Sequence, residues 1–306
     1  MNYAIVFPGQ GSQSLGMLSD LASNFPLVNE TFTEASDALD IDLWKLTQQD
    51  QDALNQTQNT QPAMLAAGYA TYRVLSSETD LSPVCMAGHS LGEYTALVAA
   101  GSLDFTDGIK LVRKRAELMQ SAVPVGAGAM AAILGLDDDK VVEICSKANG
   151  VVEAVNFNSP GQVVIAGNKD SVEATCEAMK EAGAKRAVVL PVSVPSHCSL
   201  MNEAAEEFSV SVGATNFTQV GNVLHNVDAG VANNTDEIKS KLVAQLHKPV
   251  LWTSTVQAMS VMGVEKLIEA GPGKVLAGLT RRIDKSLTGS AVLDAAGVTK
   301  IIEELA

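Results

Sequence analysis

Gly88-His89-Ser90-Leu91-Gly92 places a serine between two glycines at the point where one apolar run stops and another begins. Val84 to Ala87 reads as a short buried strand, and Tyr94 to Ala100 as an alanine-rich helix closed by Gly101. A side chain at 88 or 92 would collide where strand and helix nearly touch. The stretch therefore predicts a strand, a tight turn carrying Ser90, and a helix. Such a turn is a nucleophile elbow, which holds a serine hydroxyl clear of the sheet at the positive end of a helix. The bare pattern arises by chance in a chain with 24 glycines, so the flanking strand and helix carry the weight.

The rest of the composition narrows the class. A chain of 306 residues with 46% hydrophobic and 18% charged residues is globular and long enough for about two domains. A net charge of −14 makes nucleic acid and anionic membranes poor partners. No apolar stretch reaches the roughly 18 residues of a membrane span, and Tyr3 to Phe7 is too short for a signal peptide. Cys85, Cys145, Cys176 and Cys198 are scattered in apolar contexts without a zinc spacing. They read as buried thiols in a reducing cytoplasm, and no metal site is expected.

Taken in order, Tyr3 to Phe7 is a buried strand that runs into the glycine loop Pro8-Gly9-Gln10-Gly11-Ser12-Gln13. Its spacing lacks the third glycine of a dinucleotide fingerprint. Residues 17–78 show helical patterns joined by polar connections such as Gln48 to Gln61, with Gln61 placed to face a pocket. In the helix Asp107 to Ala122, Leu111, Val112, Leu118, Met119 and Ala122 make one apolar stripe, and Arg115 falls inside it. An inward guanidinium must be paired, because stranding a buried charge costs about 3–5 kcal/mol. Its partner is either a structural carboxylate or a substrate carboxylate held bidentately; spacing does not choose.

After the Pro/Gly/Ala linker Pro124 to Ala129 the pattern changes. Strands at Met130–Leu134, Val151–Phe157, Val163–Ala166 and Ala187–Val194 alternate with helices at Asp137–Ala148 and Ser171–Ala182. This β-α-β-β-α-β order over about 65 residues is the ferredoxin-like split unit, inserted into a larger domain. Asn156 and Asn158 lie where they could line a cleft between the two. The chain returns through Ser193-Val194-Pro195-Ser196-His197-Cys198, so His197 stands at a domain junction. His89 neighbours Ser90 but points the wrong way along the turn, His225 lies in the strand-like run Val223–Val227, and His247 sits at a helix end. Gly271-Pro272-Gly273-Lys274 opens a helix to Ile283 and lacks the phosphate-loop frame.

With these stretches laid out, the chain resembles the malonyl-CoA:acyl carrier protein transacylases of fatty acid synthesis. The matching stretches are Phe7 to Gln13, Gly88 to Glu93, the helix around Arg115, Asn156 to Gly167, Val192 to His197, Gln245-Leu246 before Pro249-Val250, and Glu269 to Lys274. The resemblance implies an α/β fold: an α/β-hydrolase-like core with a parallel sheet (1–124 and 195–306) and a ferredoxin-like subdomain (125–194). It implies Ser90 as the acylated nucleophile, His197 as general base and then acid, and the backbone N–H groups of Gln10 and Leu91 as the oxyanion hole. It implies Arg115 as the malonyl carboxylate site and the Gln245 carbonyl as the histidine's support. Malonyl-CoA and acyl carrier protein are the implied partners of a cytoplasmic monomer with no resident cofactor. Many relatives carry Phe before the histidine, where this chain has Ser196. The acidic carrier protein calls for a local basic dock, with Lys110, Lys114, Lys185, Arg186, Lys274, Arg281 and Arg282 as candidates. Two rival readings remain: a serine hydrolase, whose order is serine, acid, then a histidine near the C-terminus, and a non-catalytic carrier-protein binder.

Overall fold

The computed structural model describes residues 1–192 and 194–305; Ser193, in the expected return segment, lies outside them. The strands are β1 (Tyr3–Phe7), β2 (Cys85–Gly88), β3 (Gly128–Leu134), β4 (Val152–Ser159), β5 (Gln162–Asn168), β6 (Arg186–Val189), β7 (Val223–Leu224), β8 (Lys266–Ala270) and β9 (Thr288–Val292). They form two sheets. One has the order β7-β2-β1-β8-β9, with every neighbour parallel. The other has the order β4-β5-β3-β6 and is antiparallel throughout. A parallel sheet is covered on both faces, so its central strand must be apolar on both. β1 meets that demand: Tyr3, Ile5 and Phe7 enter one core cluster, Ala4 and Val6 the other.

The first helices are α1 (Ser19–Asn24), α2 (Pro26–Leu39), α3 (Leu43–Gln49), α4 (Gln51–Leu54) and α5 (Thr57–Glu78). The polar stretch Gln48 to Gln61, read as a connection, is largely helical. Asp50 caps α4 through the Ala53 N–H, and α5 starts before Pro62 rather than after it. A proline inside a helix leaves the carbonyl four residues back without its donor. That carbonyl, of Gln58, accepts instead from Arg113 Nη1 at 3.2 Å. A tertiary contact thus repairs what local propensity forbids.

α6 (Gly92–Ala99) and α7 (Phe105–Ser121) follow β2. α8 (Asp138–Ser146) and α9 (Lys169–Glu181) alternate with the strands of the small sheet. With β3 and β5 central, β4 and β6 outside, that sheet has the split β-α-β-β-α-β arrangement. β6 stops short of the expected Val194. The Leu190 N–H still donates to the Met130 carbonyl at 2.8 Å, but Pro191 has no N–H to continue the ladder. The chain then forms α10 (Asn202–Ala214), α11 (Thr235–Gln245), α12 (Trp252–Val261), α13 (Val275–Ile283) and α14 (Ala295–Leu305). Beyond Ile283 the structure adds β9 and α14; β9 is a half-exposed edge strand with little apolar signal.

The small sheet is stitched to the segment after α11. Phe157 N–H donates to the Val250 carbonyl at 3.0 Å, and Val250 N–H to that of Val155 at 2.8 Å. Thr253 Oγ1 adds a bond to the Phe157 carbonyl. All four cysteines are free and buried, and burial pushes the thiols of Cys85, Cys145 and Cys198 up to about 12. Among the described residues no helix is long and apolar enough to cross a membrane.

Candidate active site

β2 ends at Gly88 and α6 begins at Gly92, so His89, Ser90 and Leu91 must reverse the chain. They do so with Ser90 at φ 51°, a left-handed conformation that costs an L-residue roughly 1–2 kcal/mol. The expected need for glycine on either side is met in backbone contacts. A Cβ on Gly88 would lie 1.8 Å from the Gly92 carbonyl carbon, and one on Gly92 would lie 2.1 Å from the Phe7 oxygen. The His89 N–H donates to that same Phe7 carbonyl at 3.0 Å, tying the elbow to β1. Asn226, just beyond β7, accepts from the Ser90 N–H through Oδ1 and donates to the Gly88 carbonyl through Nδ2, both at 2.7 Å.

His197 comes to Ser90 from the far end of the small unit. Its backbone is also left-handed, at φ 68°, and its N–H donates to the Leu246 carbonyl at 3.0 Å. Nδ1 lies 2.6 Å from the Gln245 carbonyl, and Nε2 lies 2.8 Å from Ser90 Oγ. A carbonyl only accepts, so Nδ1 carries the proton and the Nε2 lone pair faces the serine hydroxyl. Burial first, and then the Arg115 guanidinium, push His197 down to about 3. The imidazole is therefore neutral and able to take a proton. Ser90 is half-buried, which leaves its hydroxyl within reach of a bound thioester.

Arg115 arrives on the buried stripe of α7 and is 1% exposed. Nη1 donates to Gln61 Oε1 at 2.8 Å; Nη2 donates to Gln245 Oε1 at 2.9 Å and to Ser90 Oγ at 3.3 Å. The Tyr94 ring lies under the guanidinium at 5.4 Å. Among the described residues no carboxylate forms an ion pair with it. Of the two partners left open by the spacing, no structural carboxylate stands among the described residues. Gln61 belongs to this contact rather than to an open pocket wall, and its amide is oriented by a bond from Nε2 to Met119 Sδ.

The glycine loop after β1 passes close over the elbow. A Cβ on Gly9 would lie 2.4 Å from the His89 oxygen, so only glycine lets the loop approach this near. Neither the Gln10 nor the Leu91 N–H has an acceptor among the described residues. His89 points away from the serine as expected, and its Nε2 lies 2.8 Å from Asn158 Oδ1. Asn158 thus joins the elbow to β4, while Asn156 meets Val250 and has a buried Oδ1 with no hydrogen-bond partner among the described residues. Neither asparagine bonds to Ser90, His197 or Arg115. Ser196 is half-buried, and its N–H is bonded to the Val194 carbonyl.

Beneath the elbow lies a buried polar network whose members are far apart in the sequence. Glu93 accepts from His225 Nδ1 at 2.7 Å, from the Asn226 N–H at 2.9 Å and from Gln245 Nε2 at 2.8 Å. Gln245 Nε2 also donates to the Ser90 carbonyl at 3.0 Å. Gln245 therefore supports the histidine with its backbone and Arg115 with its side chain. Two signals were present: an acid opening an otherwise apolar helix, and a polar His225-Asn226 pair at the carboxyl end of a strand, where ligands bind open α/β sheets.

Comparison with known proteins places the whole chain. A malonyl CoA-acyl carrier protein transacylase of Escherichia coli strain K12 is 53% identical over 305 residues, covering 98% of this chain and 99% of that protein. The crystal structure of an acyl carrier protein S-malonyltransferase from Vibrio cholerae superposes with a TM-score of 0.95 at 53% identity, covering 98% of this chain and 100% of that one. A malonyl-transacylase solved in complex with a type II polyketide acyl carrier protein gives a TM-score of 0.97 at 50% identity, covering 99% and 100%. With residues 4–297 matching the acyl transferase domain family, this chain belongs to that family.

Proposed function

We propose that this enzyme moves a malonyl group from coenzyme A to the phosphopantetheine thiol of an acyl carrier protein, through an ester on Ser90, to supply fatty acid biosynthesis. One observation carries the substrate: a buried guanidinium with no carboxylate partner among the described residues, 3.3 Å from the hydroxyl that would attack. A malonyl thioester carries its carboxylate one methylene beyond the reacting carbonyl, within the span of that guanidinium. The names and complexes of the relatives support the same donor and acceptor.

In the proposed sequence His197 Nε2 takes the Ser90 proton as Oγ bonds to the thioester carbon. The carbonyl oxygen gains the electron pair and is met by the N–H groups of Gln10 and Leu91, donors fixed before the reaction begins. Collapse breaks the C–S bond, and the imidazolium returns its proton to the leaving thiolate. The carrier protein's thiol then gives its proton to Nε2 as its sulfur bonds to the ester carbon; collapse breaks the C–Oγ bond, and the imidazolium returns the proton to Oγ, restoring Ser90. No step calls for a resident cofactor or metal, and one copy of the chain supplies every group. All seven basic candidates for the carrier-protein dock are exposed.

Intact mass after incubation with malonyl-CoA tests the reading. A single malonyl adduct is expected, absent in Ser90→Ala. Release of malonate at a turnover rate without a thiol acceptor would instead favour a hydrolase, and no adduct a non-catalytic binder. The depressed His197 makes a second prediction. An imidazole at the usual value of about 6.5 would keep only about 3% of its base form at pH 5. Here the acylation burst is expected to hold its rate from pH 7 to pH 5, measured by quenched flow. The sign for stability is opposite. Below about pH 6.5 the unfolded chain takes up a proton that the folded site refuses, so acid weakens the fold before it disables the base.

A further inference from the structure

We propose that Asn226 is a positioning residue that sets the aim of the nucleophile, and that the buried Glu93–His225 pair is its foundation. The inference rests on Ser90 being the acylated residue. The Asn226 carboxamide spans the elbow, with its carbonyl on the Ser90 N–H and its amino group on the Gly88 carbonyl. Both bonds need the amide in one orientation, because one end must accept and the other must donate. They close around the residue held at φ 51°, a conformation serine does not choose unaided.

Asn226 is itself held at both ends of its backbone. Its N–H is bonded to Glu93 Oε2, and its carbonyl accepts from the Leu251 N–H at 2.9 Å. Glu93 Oε1 is occupied by His225 Nδ1, so the carboxylate cannot turn away. The clasp thus joins the carboxyl ends of the neighbouring strands β2 and β7. Ser90 Oγ and the Leu91 N–H both follow from the Ser90 backbone angles. Releasing the clasp would misdirect the attacking oxygen and one oxyanion donor together. Arg115 is held by Gln61 outside the clasp and by Gln245 Oε1, whose own Nε2 is fixed by Glu93 and the Ser90 carbonyl and lies 3.5 Å from Asn226 Oδ1. Removing the Asn226 carboxamide leaves these other bonds in place, so substrate recognition is expected to survive.

The test compares wild type with Asn226→Ala and Asn226→Asp in full-length enzyme. Aspartate keeps an acceptor for the Ser90 N–H but turns an anion toward the Gly88 carbonyl and Glu93. The expected result is a fall in kcat for malonylation of about 10²-fold in Asn226→Ala, the loss that follows roughly an ångström of misplacement. KM for malonyl-CoA is expected to stay within about threefold, the mark of an interaction that acts on the transition state. Labelling of Ser90 by a fluorophosphonate, which has no carboxylate for Arg115, is expected to slow in parallel. Rates are taken per folded molecule, by circular dichroism and gel filtration. If Asn226→Ala does not fold, Asn226→Asp decides. A folded variant with unchanged kcat, a loss confined to KM, or full fluorophosphonate reactivity would each overturn the role. Failure of wild type to form a Ser90 adduct would instead overturn the reading beneath it.

Discussion

Replacing Arg115 with alanine is expected to cut malonyl self-acylation by about 10²–10³-fold in kcat/KM while acetyl self-acylation changes less than about tenfold; stranding one partner of a buried, hydrogen-bonded charge pair costs about 3–5 kcal/mol, and each 1.4 kcal/mol is tenfold. In wild type the cation is already desolvated, and its acceptors among the described residues are neutral oxygens, those of Gln61, Gln245 and Ser90. A malonyl carboxylate supplies the missing anion. In Arg115→Ala that carboxylate must lose its water with nothing to replace it. An acetyl group has no carboxylate and meets only the space left behind. Arg115→Lys is expected to recover little, since an ammonium cannot hold Gln61, Gln245 and a carboxylate in one plane. Burst kinetics with both thioesters check this. Equal loss for malonyl and acetyl would show the arginine to be structural.

Gly88→Ala is the second large effect. The added methyl would meet the Gly92 carbonyl carbon at 1.8 Å and its oxygen at 1.9 Å. These are backbone atoms, so no rotamer relieves the clash, and β2 must move from α6 by more than an ångström. Overpacking against flexible side chains costs about 1–3 kcal/mol, and a rigid contact costs more. We expect either no soluble protein or a Tm lower by on the order of 5 °C or more, with acylation lost in what folds. Gly213→Ala and Gly278→Ala serve as controls. Both glycines lie in helices, in α10 and α13, with nothing within 4 Å of the added carbon. There alanine should raise stability by up to about 1 kcal/mol through helix propensity. A Gly88→Ala variant melting with wild type and acylating normally would refute the account of the elbow.

Some of the site was legible because it is written in consecutive residues. The elbow shows as two glycines around a serine between a strand and a helix, and steric exclusion acts over that same short span. The inward Arg115 shows because a helix repeats every 3.6 residues and the guanidinium breaks an apolar stripe. The small unit showed as alternating strand and helix patterns. Other parts were not local. Glu93, His225 and the Gln245 side chain look like ordinary polar residues until β7 lies beside β2 and α11 ends against the elbow. The helical start of α5 was hidden for the same reason, since the carbonyl that Pro62 leaves free is satisfied by Arg113 from another helix.

By itself the amino-acid order determined where the chain must bend tightly, which helix buries a cation, and, through resemblance, which residues to examine. Only the folded arrangement decided that His197 Nε2 meets Ser90 Oγ at 2.8 Å and that Arg115 pairs with no carboxylate among the described residues. The reason is physical: sterics and periodicity act between near neighbours in the chain, whereas hydrogen bonds and charges act between whatever the packing brings within a few ångströms.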